Sequence, residues 1–235
     1  MTTISKPDPL TGQPVGVKVD ATPALRPEPV TLQGRFGRVE RLAQRHTVAL
    51  WQAIKGHDET WTYMGYGPFA DEAAFAEWLA SRLTLDDPYS YAIVGPSGRA
   101  VGIATLMEIR PAMRVIEVGN IVYSPALQRS GLGTEAQYLL ARYALEMLGN
   151  RRYEWKCNAL NAPSRRAALR YGFTYEGTFR KHWISKGRNR DTAWFSMLDG
   201  EWPARKAAFE RWLAPENFDA DGKQRVSLSE LNKAS

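Results

Sequence analysis

A glycine-rich turn, Gln128-Arg-Ser-Gly-Leu-Gly133, is the stretch of this 235-residue chain best suited to chemistry. Before it runs Val115-Ile-Glu-Val-Gly-Asn-Ile-Val-Tyr123, β-branched and aromatic without proline, which predicts a strand that Ser124-Pro125 stops. After it, a helical pattern opens at Thr134. A strand, a glycine turn and a helix start aim several free backbone N–H groups, and the positive end of a helix dipole, at one point. That point suits a phosphate. From Arg129 to Arg190 there are thirteen Lys or Arg against four Glu, a surplus of nine in a chain whose net charge is +6, so the remainder is near −3. An anionic ligand on the positive half and a solvated basic face both fit that split. Other reactive residues are sparse. Cys157 is the only cysteine, which rules out an intramolecular disulfide; with no triad partner near in sequence it reads as a buried strand residue. His46, His57 and His182 are too dispersed to suggest a metal site, so no metal is expected.

Hydrophobic residues make up 44 % of the chain, enough for a proper core around such a turn. No apolar run approaches the ~18 residues a membrane span requires, and MTTISKPDPLTGQPVG at the start lacks the apolar core of a secretory signal. The reading is a cytoplasmic protein with no membrane partner. Residues 1–29 carry six of the fourteen prolines and read as an extended arm, 30–200 as the functional domain, and 201–235 as a terminal amphipathic helix with a loose polar tail. Val30–Gln33 and Gly37–Leu42 predict a first strand with its turn; Leu42, Ala49, Leu50, Ala53 and Ile54 then recur at helical spacing.

Trp61-Thr-Tyr-Met-Gly-Tyr-Gly-Pro-Phe69 is aromatic yet full of turn residues. Either it is a plug stapling a loop to the core, or a loop over a ligand, with Trp61, Tyr63 and Tyr66 as the candidate acceptor contacts. Asp71 predicts the N-cap of a further helix bearing Phe75, Trp78 and Leu79 on one face. Strands at 91–94, 100–107 and from Val115 are joined by short turns, an antiparallel meander. The helix after the turn puts Ala136, Leu139, Leu140, Tyr143, Ala144 and Met147 on one face, with Thr134-Glu-Ala-Gln137 matching a capping box and Gly149 a stop. A helical crossover makes the next strand, Tyr153–Cys157, parallel to the one before. Pro163 suits the start of a helix that Gly172 ends, and strands at 173–179 and 192–198 close the sheet around a basic turn, Lys186-Gly-Arg-Asn-Arg190.

Two readings of the turn compete. Gly131-Leu-Gly-Thr-Glu-Ala136 formally matches the dinucleotide fingerprint, which predicts an NAD(P)-binding oxidoreductase. That fold needs an acidic residue at the end of the next strand, whereas Glu154 stands at its start, and the lead-in here is antiparallel. The second reading is a resemblance. Gln128-Arg-Ser-Gly-Leu-Gly133 is similar to the Q/R-x-x-G-x-G/A signature of the GNAT acyltransferase superfamily. Asn158-Ala-Leu-Asn-Ala-Pro-Ser164, then Tyr171-Gly-Phe173 and Glu176-Gly177, resemble its RimJ/RimL-like branch, which acetylates ribosomal-protein N-termini. The resemblance covers roughly residues 30–198.

It implies an α/β (α+β) GNAT fold: a mixed, mostly antiparallel sheet with a central, splayed parallel pair, flanked by helices. It implies an acyl-CoA co-substrate, most simply acetyl-CoA, and a primary-amine acceptor, either a protein N-terminus or a small molecule, attacking directly in a ternary complex. A homodimer is compatible with it. The amides of Ser130, Gly131, Leu132, Gly133 and Thr134 would hold the pyrophosphate, with Gln128 and Arg129 beside them, while Ile121, Val122 and Tyr123 would pair with the pantetheine. Asn158 and Asn161 would contact the pantetheine or fix its loop. Glu117 would be the base and Ser164 the hydrogen-bond partner of the departing thiolate, unless Ser164 merely satisfies a helix start. The tyrosine that many members use as an acid is replaced by Ala168, and Tyr171 is out of register. His182 and Trp183 stand where a relative's carboxylate sits. A non-catalytic RNA- or ribosome-binding module using Arg151, Arg152, Arg165, Arg166 and the 180–190 turn is the remaining rival; no RNA-binding motif supports it, so nucleic acid is not an expected partner.

Overall fold

The computed structural model describes residues 5–233. A small hairpin, β1 (Ser5–Pro7) and β2 (Pro14–Gly16), lies within the proline-rich arm, and the arm is then tied down: Ala24 N–H donates to the Pro111 carbonyl at 3.1 Å and Leu25 N–H to that of Leu148 at 2.8 Å. The main sheet has eight strands. They are β3 (Thr31–Gln33), β4 (Arg38–Arg41), β5 (Tyr89–Val94), β6 (Ala100–Arg110), β7 (Val115–Tyr123), β8 (Arg152–Asn158), β9 (Thr174–Ser185) and β10 (Arg188–Leu198). The last strand of the chain inserts between β8 and β9, so the order is β3-β4-β5-β6-β7-β8-β10-β9. Every neighbouring pair is antiparallel except β7 and β8, which run parallel. The α/β class and the splayed parallel pair are as expected.

Period-2 alternation sorts side chains between two cores. Ala92, Val94 and Ile103 face α1 (Thr47–Ile54) and α2 (Glu72–Leu83), whose Leu50, Ile54, Phe75 and Leu79 are buried. Tyr91, Ile93, Ala104, Leu106, Ile116 and Val118 face the other way, onto α3 (Gly131–Arg142) and α5 (Trp202–Leu213). Each fully buried aliphatic or aromatic side chain contributes roughly 1.5–3 kcal/mol. Among the described residues no helix is long and apolar enough to cross a membrane.

Four expectations change. Helix α3 starts at Gly131, not Thr134: the cap is Ser130, whose Oγ accepts the Gly133 N–H at 3.0 Å, so Thr134 lies inside the first turn. A π-turn over Tyr143–Met147 then adds a residue to the helical period, leaving Met147 53 % exposed and burying Leu148 in its place. Strands β9 and β10 run past the expected basic turn to a two-residue turn, Lys186-Gly187, at φ 49° and 71°. Arg188, Asn189 and Arg190 are therefore strand residues. The tail is also packed, not loose. Asn217 Nδ2 donates to the carbonyls of Trp212 and Val226, and α6 (Leu228–Lys233) buries Leu228 and Leu231 in the core shared with α5.

Candidate active site

The turn before α3 is built as an anion cradle. Ser130 Oγ donates to the Leu127 carbonyl at 2.7 Å while capping Gly133, and Arg129 takes the left-handed conformation at φ 59°. The N–H groups of Arg129, Gly131 and Leu132 have no partner among the described residues, and they stand at the positive end of α3. Those of Ser130, Gly133 and Thr134 are satisfied within the turn, so the free donors are fewer than the sequence suggested. The glycines are demanded by the protein itself. A Cβ on Gly131 would stand 2.9 Å from the Phe36 ring, and one on Gly133 would stand 2.7 Å from the Leu127 carbonyl oxygen. Phe36 is held there by Glu135, whose carboxylate accepts the N–H groups of Arg35 at 2.6 Å and Phe36 at 2.8 Å. Nothing local in the sequence signals a clamp between residues about a hundred positions apart. Arg170, also missed, donates to Thr134 Oγ1 at 3.1 Å and brings a cation to the first turn of α3.

Beside this turn the sheet opens. β7 and β8 pair only from Val115/Arg152 to Val118/Trp155; beyond that, Ile121, Val122 and Tyr123 have no ladder with β8. Asn120, at φ 48°, marks a bulge where the two strands part. Gln128 Nε2 donates to the Tyr123 carbonyl at 3.1 Å, and Tyr123 Oη donates to the Gly133 carbonyl at 2.9 Å, so strand end and helix start are cross-tied.

On the far side of the gap, Asn158 Oδ1 accepts the Leu160 N–H, and Asn161 Oδ1 caps α4 (Ala162–Arg170) by accepting the Ser164 N–H at 3.1 Å. Because Asn161 is the cap, Ser164 is not spent on the helix start. Its Oγ accepts from Trp155 Nε1 at 3.0 Å, which leaves the hydroxyl hydrogen to donate. Cys157 lies beside it; burial pushes its thiol up, and the Ser164 contact opposes this.

Glu117 lies on the opposite face of the sheet from Ser164, 5 % exposed. Burial pushes its carboxyl up to about 7, against the pull of Lys156, whose Nζ is 2.8 Å from Oε2. Lys156 also sits 3.4 Å from Glu154 and 4.0 Å over the Trp194 ring. Glu154 is engaged by Arg110 and Arg152, each at 2.7 Å, and Arg152 reaches on to Glu176. A carboxylate held at the threshold of ionisation can take a proton from an amine, which is general-base chemistry. The 61–69 loop is mainly a plug. Trp61 is 2 % exposed, edge-on to Phe69 at 5.1 Å, and Tyr66 lies 4.8 Å from Trp78. Their rings pack on one another, as the plug reading expects, and Tyr66 also lines a small cavity with Thr105 and Asn120. Tyr63 ties the loop to the far side of the gap, its hydroxyl donating to the Leu160 carbonyl at 3.2 Å. Lys186, at the β9–β10 tip, donates to the Trp61 carbonyl at 2.9 Å. His182 packs edge-on to Phe179 and tilted against Trp194, and Trp183 is exposed on β9. Among the described residues no three His, Cys, Asp or Glu side chains are placed to hold a metal.

An antiparallel meander leading into a single splayed parallel pair, with an anion cradle beside it, excludes the doubly wound dinucleotide fold. Residues 38–174 match the family described as acetyltransferase (GNAT) domain. A GCN5-related N-acetyltransferase from Brucella melitensis is 45 % identical, with a TM-score of 0.89 over 91 % of this chain and 99 % of its own. A probable acetyltransferase of the GNAT family from Chromobacterium violaceum is 39 % identical, TM-score 0.76, over 84 % of this chain and all of its own. The ribosomal L7/L12 α-N-protein acetyltransferase RimL shares the fold at 18 % identity, TM-score 0.62, over 72 % of this chain and 94 % of its own. No curated protein matches. The chain belongs to the GNAT acetyltransferase family; it is an acyl-CoA-dependent N-acetyltransferase acting on an amine acceptor.

Proposed function

We propose that the protein transfers an acetyl group from acetyl-CoA to a primary amine, of a small molecule or a protein N-terminus, by direct attack in a ternary complex. The observation that carries this reading is the placement of Glu117 and Ser164 on opposite faces of the β7–β8 gap, with the free N–H groups of the α3 turn at its end. The thioester supplies the acyl carbon. The N–H groups of Arg129, Gly131 and Leu132 bind the pyrophosphate, and the unpaired edge of Ile121–Tyr123 aligns the pantetheine. Glu117 takes the proton that the acceptor ammonium must lose before its nitrogen bonds to the acyl carbon. As the C–S bond breaks, the Ser164 hydroxyl donates to the departing thiolate; a serine is too weak an acid to do more.

Thermal unfolding tests the binding half: acetyl-CoA should raise Tm and NAD(P) should not, and the reverse result would overturn the proposal. Thiol release across a panel of amines then reads the transfer. Ser164→Ala is expected to lower kcat about 10- to 100-fold, the worth of one hydrogen bond to a charged group, with little change in the KM for acetyl-CoA. An unchanged kcat would leave Ser164 only its bond to Trp155.

A further inference from the structure

We infer that the acceptor is a small amine bearing a carboxylate close to its amino group, an amino acid or close derivative, and that Arg190 holds the carboxylate. This rests on the acyltransferase reading above. Arg190 sits where the gap opens. It lies opposite Trp183 on β9; the next residue, Asp191, accepts the Ala159 N–H at 2.8 Å just past the end of β8, and Thr192 faces Asn158. Its Nε donates to Thr192 Oγ1 at 3.2 Å, and its charge is in reach of both Cys157 and Glu117, so the guanidinium stands at the gap between the two faces of the sheet. Arg190 is half-buried, yet among the described residues its two terminal amino groups meet no carboxylate. The enclosed cations of the neighbouring strand β8 are satisfied: Arg152 by Glu154 and Glu176, Lys156 by Glu117. A guanidinium cannot shed its proton to escape partial burial, so an anion completes it.

The surrounding charges are laid out as a dipole. Glu117, with Glu108 in electrostatic reach, lies toward β6 and β7; Arg190 and His182, in reach of each other, lie toward β9 and β10, and Lys156 stands between Glu117 and His182. A zwitterion matches this layout, with its amine at Glu117 and its carboxylate on the planar fork of Arg190. A polyamine or amino sugar would bring added positive charge against Arg190 instead.

The test compares free amino acids with their carboxamides at saturating acetyl-CoA, reading thiol release. The native protein should favour each acid over its amide by about 10-fold or more in kcat/KM. Arg190→Gln should reduce kcat/KM for the acids roughly 30-fold or more while leaving the amides and the KM for acetyl-CoA nearly unchanged, and Arg190→Lys should restore part of the loss. Equal use of acid and amide, or an equal loss on both in Arg190→Gln, would overturn the assignment while leaving the transferase intact. Transfer to other amines but to no amino acid would do the same. Thiol release with no amine at all would overturn the reading beneath it.

Discussion

Replacing Gly131 with tryptophan is expected to abolish acetyl-CoA binding, raising Kd at least about 100-fold, roughly 2.7 kcal/mol. The Cβ direction at this residue is already filled, since the Phe36 ring lies 2.9 Å from where that atom would stand. Phe36 cannot retreat freely, because Glu135 grips the N–H groups of Arg35 and Phe36. The indole must then lie outward, across the free N–H groups of Arg129, Gly131 and Leu132. Titration calorimetry with acetyl-CoA measures the loss, and circular dichroism checks the fold. A second variant avoids the bulk altogether. Leu132→Pro removes one N–H at the second position of α3, where proline is tolerated, as Pro163 is in α4. It should weaken binding by a smaller factor, about tenfold. A folded Gly131→Trp protein with unchanged Kd would show that the turn does not hold the cofactor.

Changing Glu117 to glutamine is expected to lower kcat by about 10²- to 10⁴-fold, the range of a lost general base, without changing the Kd for acetyl-CoA. The amide is nearly isosteric, and Lys156 retains Glu154 at 3.4 Å, so the sheet face is not left with a stranded charge. The pH profile separates catalysis from packing. Glu117 accepts a proton only as the carboxylate, and burial places its pKa at about 7. Activity of the native protein should therefore rise as pH passes upward through about 7, and that step should vanish in Glu117→Gln. Unchanged turnover, or the same step in both proteins, would remove Glu117 from the chemistry.

Much of the scaffold could be read from sequence because its signals are local. Val115–Tyr123 is rich in β-branched residues and free of proline, and Ala136, Leu139, Leu140, Tyr143 and Ala144 repeat at helical spacing; both formed as expected. Local signals failed where two competed. Thr134-Glu-Ala-Gln137 has the pattern of a capping box, but Ser130 stands one turn earlier and wins the cap, and within that first turn Glu135 holds the 34–37 loop. The sequence signal for β9 stops short of its end because it is an exposed edge strand: Arg180, Lys181, His182 and Trp183 lack the polar–apolar alternation that a half-buried strand shows. α6 was missed because it is short and polar apart from the two leucines it buries. The acceptor face was legible only in part. Glu117 is a candidate only through the resemblance, and on the proposed reading Lys156 and Arg190 join it through strand register, which no spacing along the chain reveals.

The parting of β7 and β8 after four residue pairs has a consequence for how such an enzyme can change. On the proposed reading, the donor substrate is recognised by main-chain groups: a bare strand edge and three N–H groups of a turn. Apart from Gly131 and Gly133, which the turn itself requires, that framework can carry many different side chains, so donor recognition tolerates substitution around it. On the same reading the acceptor is recognised by side chains carried on β7, β8 and β10. Exchanging a few of them, Arg190 and Lys156 first, would rewrite the acceptor without moving the backbone that holds the donor. The two specificities are therefore separable properties of one sheet, and a shared donor between relatives says little about a shared acceptor.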